Sequence, residues 1–240
     1  MDYNQLNNNK VFITGKVISQ PVYSHEIYGE GFYEINLSVP RLSSQQDIIP
    51  VTISERLIYS GKIEKEMEIS IKGQFRSYNK IIDGKSRLML TVFARELVEI
   101  NASQNPNIIE LSGYICKPPI YRTTPFNREI CDILLAVNRA YNKSDYIPCI
   151  AWGRNARFVK GIEVGGRVFV VGRIQSREYQ KKINETEFET KTAYEISITK
   201  ISIEDNVNII SVNSGAIDDT VASEEPALLF DEVKFENYYN

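Results

Sequence analysis

The stretch Asp132-Ile-Leu-Leu-Ala-Val-Asn-Arg-Ala-Tyr-Asn-Lys-Ser-Asp-Tyr-Ile-Pro-Cys-Ile-Ala-Trp152 decides how the rest of the chain is read. Ile133, Leu135 and Val137 alternate with Asp132, Leu134, Ala136 and Asn138, the period-2 pattern of a strand. A shift of 98 residues lays Ile35, Leu37, Val39 and Arg41 on Ile133, Leu135, Val137 and Arg139. The same shift lays Gly15, Val17, Pro21 and Tyr23 on Gly113, Ile115, Pro119 and Tyr121, and Ile49-Pro50 on Ile147-Pro148. With one residue of slip, Gly73 and Ser77 fall on Gly172 and Ser176. Four separated blocks in one register mark a tandem duplication. The expected organisation is a first domain over 1–100, a polar linker over 101–107, a second domain over 108–203 and a tail over 204–240.

Both copies read mainly as strands. Tyr194-Glu-Ile-Ser-Ile-Thr-Lys-Ile201 alternates apolar and polar, and Asp83-Gly84 is a hairpin turn between Tyr78–Ile82 and Leu88–Phe93. Glycines inside strands (Gly15, Gly73, Gly113, Gly172) suit the sharp coiling of a small closed barrel. One short helix per copy is expected, around Glu55–Ile63 and Asn155–Ile162. Five strands with a helix between the third and fourth is the order of an OB-fold barrel; the pattern alone fits a generic small barrel equally well.

The chain has 240 residues, 42% hydrophobic and 25% charged, enough for two ordinary domains. No apolar run approaches the roughly 20 residues of a membrane helix, and the N-terminus lacks the plan of a secretion signal. Cys116, Cys131 and Cys149 are odd in number and never spaced C-x-x-C, so neither a disulfide framework nor a zinc site is expected. These features predict a soluble, reduced, cytoplasmic protein without cofactor or metal. Residues 1–105 carry 12 basic and 12 acidic side chains; residues 106–203 carry 15 and 10; residues 204–240 carry 1 and 9. The basic middle points to an anionic ligand, and the acidic tail to a separate role.

In the second copy, the runs Leu134-Leu-Ala-Val-Asn-Arg139, Asp145-Tyr-Ile-Pro-Cys-Ile-Ala-Trp-Gly-Arg-Asn-Ala156 and Val171-Gly-Arg-Ile-Gln-Ser-Arg-Glu-Tyr179 resemble the bacterial single-stranded-DNA-binding protein family. The resemblance spans about 95 residues, in order and spacing; the first copy shares it more weakly through the repeat. It implies tandem five-stranded OB barrels that bind single strands with little sequence preference, with four barrels acting together. A two-barrel chain reaches that number as a homodimer. It also implies base-stacking aromatics at Tyr141, Tyr146, Trp152 and Tyr179. Stacking is indifferent to base identity because every base has a π-face, and is worth about 1–3 kcal/mol per base. Arg139, Lys143, Arg154, Arg173, Arg177, Lys181 and Lys182 interleave with these rings and are the candidate phosphate contacts. Arg173, Arg177 and Tyr179 share parity and hence one strand face.

The first copy departs from this pattern. Ser43, Ile48 and Ser54 stand at the places of Tyr141, Tyr146 and Trp152, and only Tyr78 lies near that of Tyr179, as a weak contact. The first copy is expected to keep the fold without much of the stacking face; its other rings (Tyr28, Phe32, Tyr33, Phe75) are candidates for a different surface. The tail reads as disordered, with an apolar island whose Leu228, Leu229, Phe230 and Asp231 are candidates for recruiting replication or repair proteins. The family's usual Ile-Pro-Phe ending is replaced by Glu236-Asn-Tyr-Tyr-Asn240. No catalytic constellation is found: His25 is the only histidine and reads as a loop residue, and Gly29-Glu-Gly31 opens no nucleotide-binding helix. The expected role is a non-enzymatic, nucleoid-associated cover for single-stranded DNA in replication, recombination and repair. The alternative is a primosome-type OB-fold adaptor that recruits other proteins and binds DNA weakly. DNA and RNA differ here through the 2′-OH, which the sequence does not address.

Overall fold

A computed structural model describes residues 7–41, 43, 45–82, 84–101, 106–182 and 188–204. The first copy runs β1 (Asn9–Val17), β2 (Val22–Ile27), β3 (Glu30–Pro40), β4 (Gln46–Ser54), α1 (Glu55–Gly61), β5 (Glu68–Ile82) and β6 (Lys85–Val98). The second runs β7 (Asn107–Ile115), β8 (Ile120–Thr123), β9 (Glu129–Arg139), β10 (Lys143–Trp152), α2 (Arg154–Val159), β11 (Arg167–Lys182) and β12 (Phe188–Ile203). Strand order in the first copy is β3-β4-β6-β5-β1, closed by β1 pairing back onto β3; in the second it is β9-β10-β12-β11-β7, closed by β7 on β9. Each copy is thus a five-stranded barrel with its helix between the third and fourth barrel strands. A sixth, flanking strand, β2 or β8, lies outside the closed ladder along β3 or β9. Pro21 and Pro118-Pro119 explain it: proline cannot donate to a ladder, so the chain leaves the barrel and resumes pairing only afterwards.

The duplication survives in the hydrogen-bond registers. Ile35 faces Val51 in the first barrel and Ile133 faces Cys149 in the second, both displaced by the same 98 residues. Ile13, Leu37, Ile71 and Phe75 fill one core, and Leu111, Leu135, Ile147 and Ile174 the other, all fully buried. A Cβ on Gly15 would sit 2.7 Å from the Ser38 carbonyl oxygen, and one on Gly113 2.8 Å from that of Ala136. Glycine is required there by close approach of strands, and both copies keep it. Buried Asn9 clamps the Phe75 backbone, donating to its carbonyl (2.7 Å) and accepting from its N–H (2.9 Å); Asn107 does the same to Ile174 at 2.7 and 2.9 Å.

The barrels join by antiparallel pairing of β1 with β7, in which Val11 faces Ile109, its own counterpart in the repeat, and Asn9 and Ile13 face Leu111 and Asn107. The junction therefore has pseudo-two-fold symmetry, the arrangement of an isologous dimer interface held in one chain. The flanking bonds obey it: Thr14 N–H donates to Pro106 O at 2.7 Å, and Ser112 N–H to Asn8 O at 2.8 Å. In the β11–β12 hairpin, the described residues 178–182 and 188–193 belong to a compact unit of their own.

His25 lies in β2 rather than a loop, its ring stacked on Phe32 with centroids 5.2 Å apart. Of the first copy's other rings, Phe75 is core and Phe32 is buried, whereas Tyr28 is exposed in the β2–β3 turn and Tyr33 half-buried. Burial pushes the Cys131 thiol up to about 11 and that of Cys149 well above its usual value, the behaviour of core cysteines. Among the described residues, no helix is long and apolar enough to cross a membrane.

Candidate nucleic-acid interface

The β9–β10 hairpin builds the outer face of the second barrel. Ile147, Cys149 and Ala151 turn inward and are fully buried. The opposite parity of β10 leaves Tyr146 half-buried and Trp152 39% exposed. Tyr141 occupies the turn between the strands at φ +62° and is 87% exposed. A bulky residue in the left-handed region is strained, and such outliers gather at functional sites. Lys143, at the start of β10, and Arg154, at the start of α2, are both exposed. Tyr179 is half-buried in the outer β11–β12 hairpin; the side chains of Lys181 and Lys182, and Leu228, Leu229, Phe230 and Asp231, lie outside the described residues.

The remaining basic candidates meet carboxylates. Arg139 Nε lies 3.5 Å from Asp145 Oδ2, close enough for charge attraction but not aligned as a hydrogen bond. Arg177 approaches the buried Glu195 at 3.8 Å. Arg173 donates to Asp47 Oδ2 of the first barrel at 3.1 Å and to Gln175 Oε1 at 2.9 Å. Its guanidinium serves the junction between barrels, so shared strand parity misplaced it among the free cations.

Ser54, at the place of Trp152, is buried and caps α1, its hydroxyl accepting from Leu57 N–H at 3.4 Å. In the second barrel Gly153 takes the cap position without a side-chain bond, which leaves Trp152 directed outward. Ile48, at the place of Tyr146, is 36% exposed and aliphatic. Tyr78 is 39% exposed, and its hydroxyl donates to Glu34 Oε1 at 3.4 Å; burial and the nearby carboxylate raise its pKa. It lines a groove of 470 Å³ with His25, Phe93, Arg76, Lys80 and Arg139.

A second groove, of 380 Å³, is lined by Arg76 and Arg95 of the first barrel and by Arg139, Tyr141, Lys143 and Asp145 of the second. Arg76 and Arg95 were not singled out by the sequence, whose charge over residues 1–105 balances and so hides a local cluster. Both guanidinium groups lie over the Phe93 ring, at 4.5 and 5.2 Å from its centroid. Burial, followed by repulsion from Arg95 and Arg139, lowers the Arg76 pKa to about 10.

The Single-strand binding protein family model matches residues 106–203, the whole second barrel. Single-stranded DNA-binding protein 1 of Staphylococcus aureus is 34% identical over 92 residues, covering 35% of this chain and 55% of the relative. Single-stranded DNA-binding protein 3 of Streptococcus agalactiae is 30% identical over 96 residues, covering 37% of this chain and 70% of the relative. The chain spans about half the length of the first of these relatives. The wild-type single-stranded DNA binding protein from Thermus aquaticus shares the two-barrel fold across 88% of this chain and 96% of that one, with a TM-score of 0.62 at 18% identity. Barrel order, repeat register and sequence agree that this chain belongs to the single-strand binding protein family.

Proposed function

We propose that the chain binds single-stranded DNA without sequence preference, as a non-enzymatic cover for exposed strands in replication, recombination and repair. The observation that supports this reading is the exposure of Tyr141 and Trp152 at the two ends of β10, with half-buried Tyr146 on the strand between them and the exposed cations Lys143 and Arg154 nearby in the chain. Rings so placed stack successive bases whatever their identity, and the cations neutralise phosphates with release of counterions. Tyr179, Arg139, Arg177, Lys181 and Lys182 extend the same reading. Two chains assemble as a homodimer, giving four barrels, and the tail around Leu228–Asp231 recruits partner proteins. The test is a titration of the full chain with oligo-dT, a mixed-sequence strand and duplex DNA across a salt series. Tight, salt-sensitive binding of both single strands and weak binding of duplex is expected. Feeble binding of oligo-dT would point instead to an adaptor.

A further inference from the structure

The pseudo-two-fold junction creates two equivalent corners where one barrel's hairpin meets the other barrel's sheet, and they are furnished differently. At the first, Ser176 N–H of barrel two donates to Asp47 Oδ1 of barrel one at 2.7 Å; at the second, Ser77 N–H of barrel one donates to Asp145 Oδ1 of barrel two at 2.7 Å. Ile48 N–H donates to Ser176 Oγ at 3.0 Å, and Tyr146 N–H to Ser77 Oγ at 2.8 Å.

The first corner is closed. Arg41 grips Asp47 with two hydrogen bonds, at 2.6 and 2.8 Å, and Arg173 adds a third at 3.1 Å. Gln175 donates to the buried carboxylate of Glu195 at 2.6 Å, with Arg177 beside it. Its cations have carboxylates to meet.

The second corner is open. By the repeat, Arg76 replaces Gln175, Gln74 replaces Arg173, and on β6 Thr91 and Arg95 replace Glu195 and Thr199. The buried carboxylate is gone, and the guanidinium groups of Arg76 and Arg95 come in where those of Arg173 and Arg177 give way to Gln74 and Tyr78. Arg76, Arg95, Arg139 and Lys143 line the 380 Å³ groove against a single acid, Asp145. Arg76 and Arg95 share one neutral acceptor, Gln74 Oε1, at 2.8 and 3.2 Å. Among the described residues the buried Nε atoms of Arg76 and Arg139 make no hydrogen bond, nor does Asp145 Oδ2, which Arg139 Nε faces at 3.5 Å; Arg76 Nε faces no such acid. Buried donors left unmet and like charges crowded in a cleft are costly unless an anion completes them. Tyr141, the most exposed ring of the proposed stacking row, stands at the rim of this groove.

We propose that the open corner is a phosphate-binding groove that carries a single strand from the aromatic face of barrel two onto barrel one. This inference rests on the single-strand reading above and assigns the first barrel a direct part in it, through Arg76 and Arg95, at positions other than the four taken from the repeat. The ligand is the phosphodiester backbone, since a fork of guanidinium donors matches phosphate oxygens and reads no base.

The test compares the wild-type chain with Arg76→Gln, Arg95→Gln and the double variant, measuring oligo-dT affinity across a salt series together with melting temperature. The slope of log affinity against log salt should become shallower by about 0.7 for each phosphate that is no longer neutralised. Melting should stay level or rise, because each substitution removes a like charge from the cluster. Arg41→Gln, at the closed corner, should lower melting and leave the slope unchanged. An unchanged slope in the double variant, with wild-type binding intact, overturns the groove, and a drop in melting with unchanged slope reassigns the arginines to packing. Failure of the wild-type chain itself to bind oligo-dT would overturn the single-strand reading, and the groove with it.

Discussion

The two barrels share one pairing scheme, with the 98-residue offset of β1, β3 and β4 slipping by one residue at β5, yet they use their surfaces differently. Where barrel two holds Trp152 outward behind an uncapped Gly153, barrel one holds the buried helix cap Ser54. Where barrel two contributes Glu195 and Gln175 to a closed corner, barrel one contributes Arg76 and Arg95 to an open one. The features held in common are those the fold needs: the inward residues, the close-approach glycines, and the Asn9 and Asn107 clamps. The outward positions were free to diverge. A duplicated chain can thus keep a symmetric joint while its two halves present unlike surfaces.

The largest expected effect separates the two corners. Asp47→Ala strands two arginines, each partly exposed, and should cost about 2–4 kcal/mol of stability. Asp145→Ala should cost about 1–2 kcal/mol, since burial already raises that carboxyl's pKa and Arg139 is poorly aligned on it. Denaturant unfolding of both variants checks this, and equal losses would erase the distinction between closed and open corners. Next, Trp152→Ala should weaken single-strand binding by about 1–3 kcal/mol while the melting temperature holds. A loss of stability without loss of binding would place that ring in the core. Ser54→Ala, its counterpart, should do the reverse, costing about 1 kcal/mol of stability through removal of the cap and nothing in binding.

The smallest effect concerns pH. Arg76 has a folded-state pKa near 10, below its ordinary value, so its cost to the fold is constant across neutral pH and eases only as pH rises through about 10. The change in melting on Arg76→Gln should therefore be the same on either side of neutrality. A change that varies there would implicate another titrating group.

Much of the fold was legible because backbone demands recur in sequence. Alternation at Ile133–Val137, the glycine at the β5–β6 turn (Gly84) and the paired glycines each state a local constraint, and the repeat states much of it twice. The flanking strands β2 and β8 were less so, since their pairing with β3 and β9 is decided by where the chain lands after its prolines. The shared strand face of Tyr146 and Trp152 was readable from parity, with Ile147 and Cys149 turned to the inner side; Tyr141 lies in the turn before β10, where parity says nothing. Arg173 did not follow, because parity names a face and not the partner across it; Asp47 belongs to the other barrel. The Arg76–Arg95 cluster was invisible for the same reason. Its members become neighbours through the β5–β6 pairing and meet Arg139 only across the junction.

The most direct test of the account uses the lone tryptophan as its own reporter. Titrated with oligo-dT, the wild-type chain should show quenching of Trp152 fluorescence that saturates with binding, and duplex DNA of equal length should produce far less. Saturated binding with Trp152 unquenched, or equal quenching by duplex, would contradict the assignment of the second barrel's outer face as the surface on which bases stack.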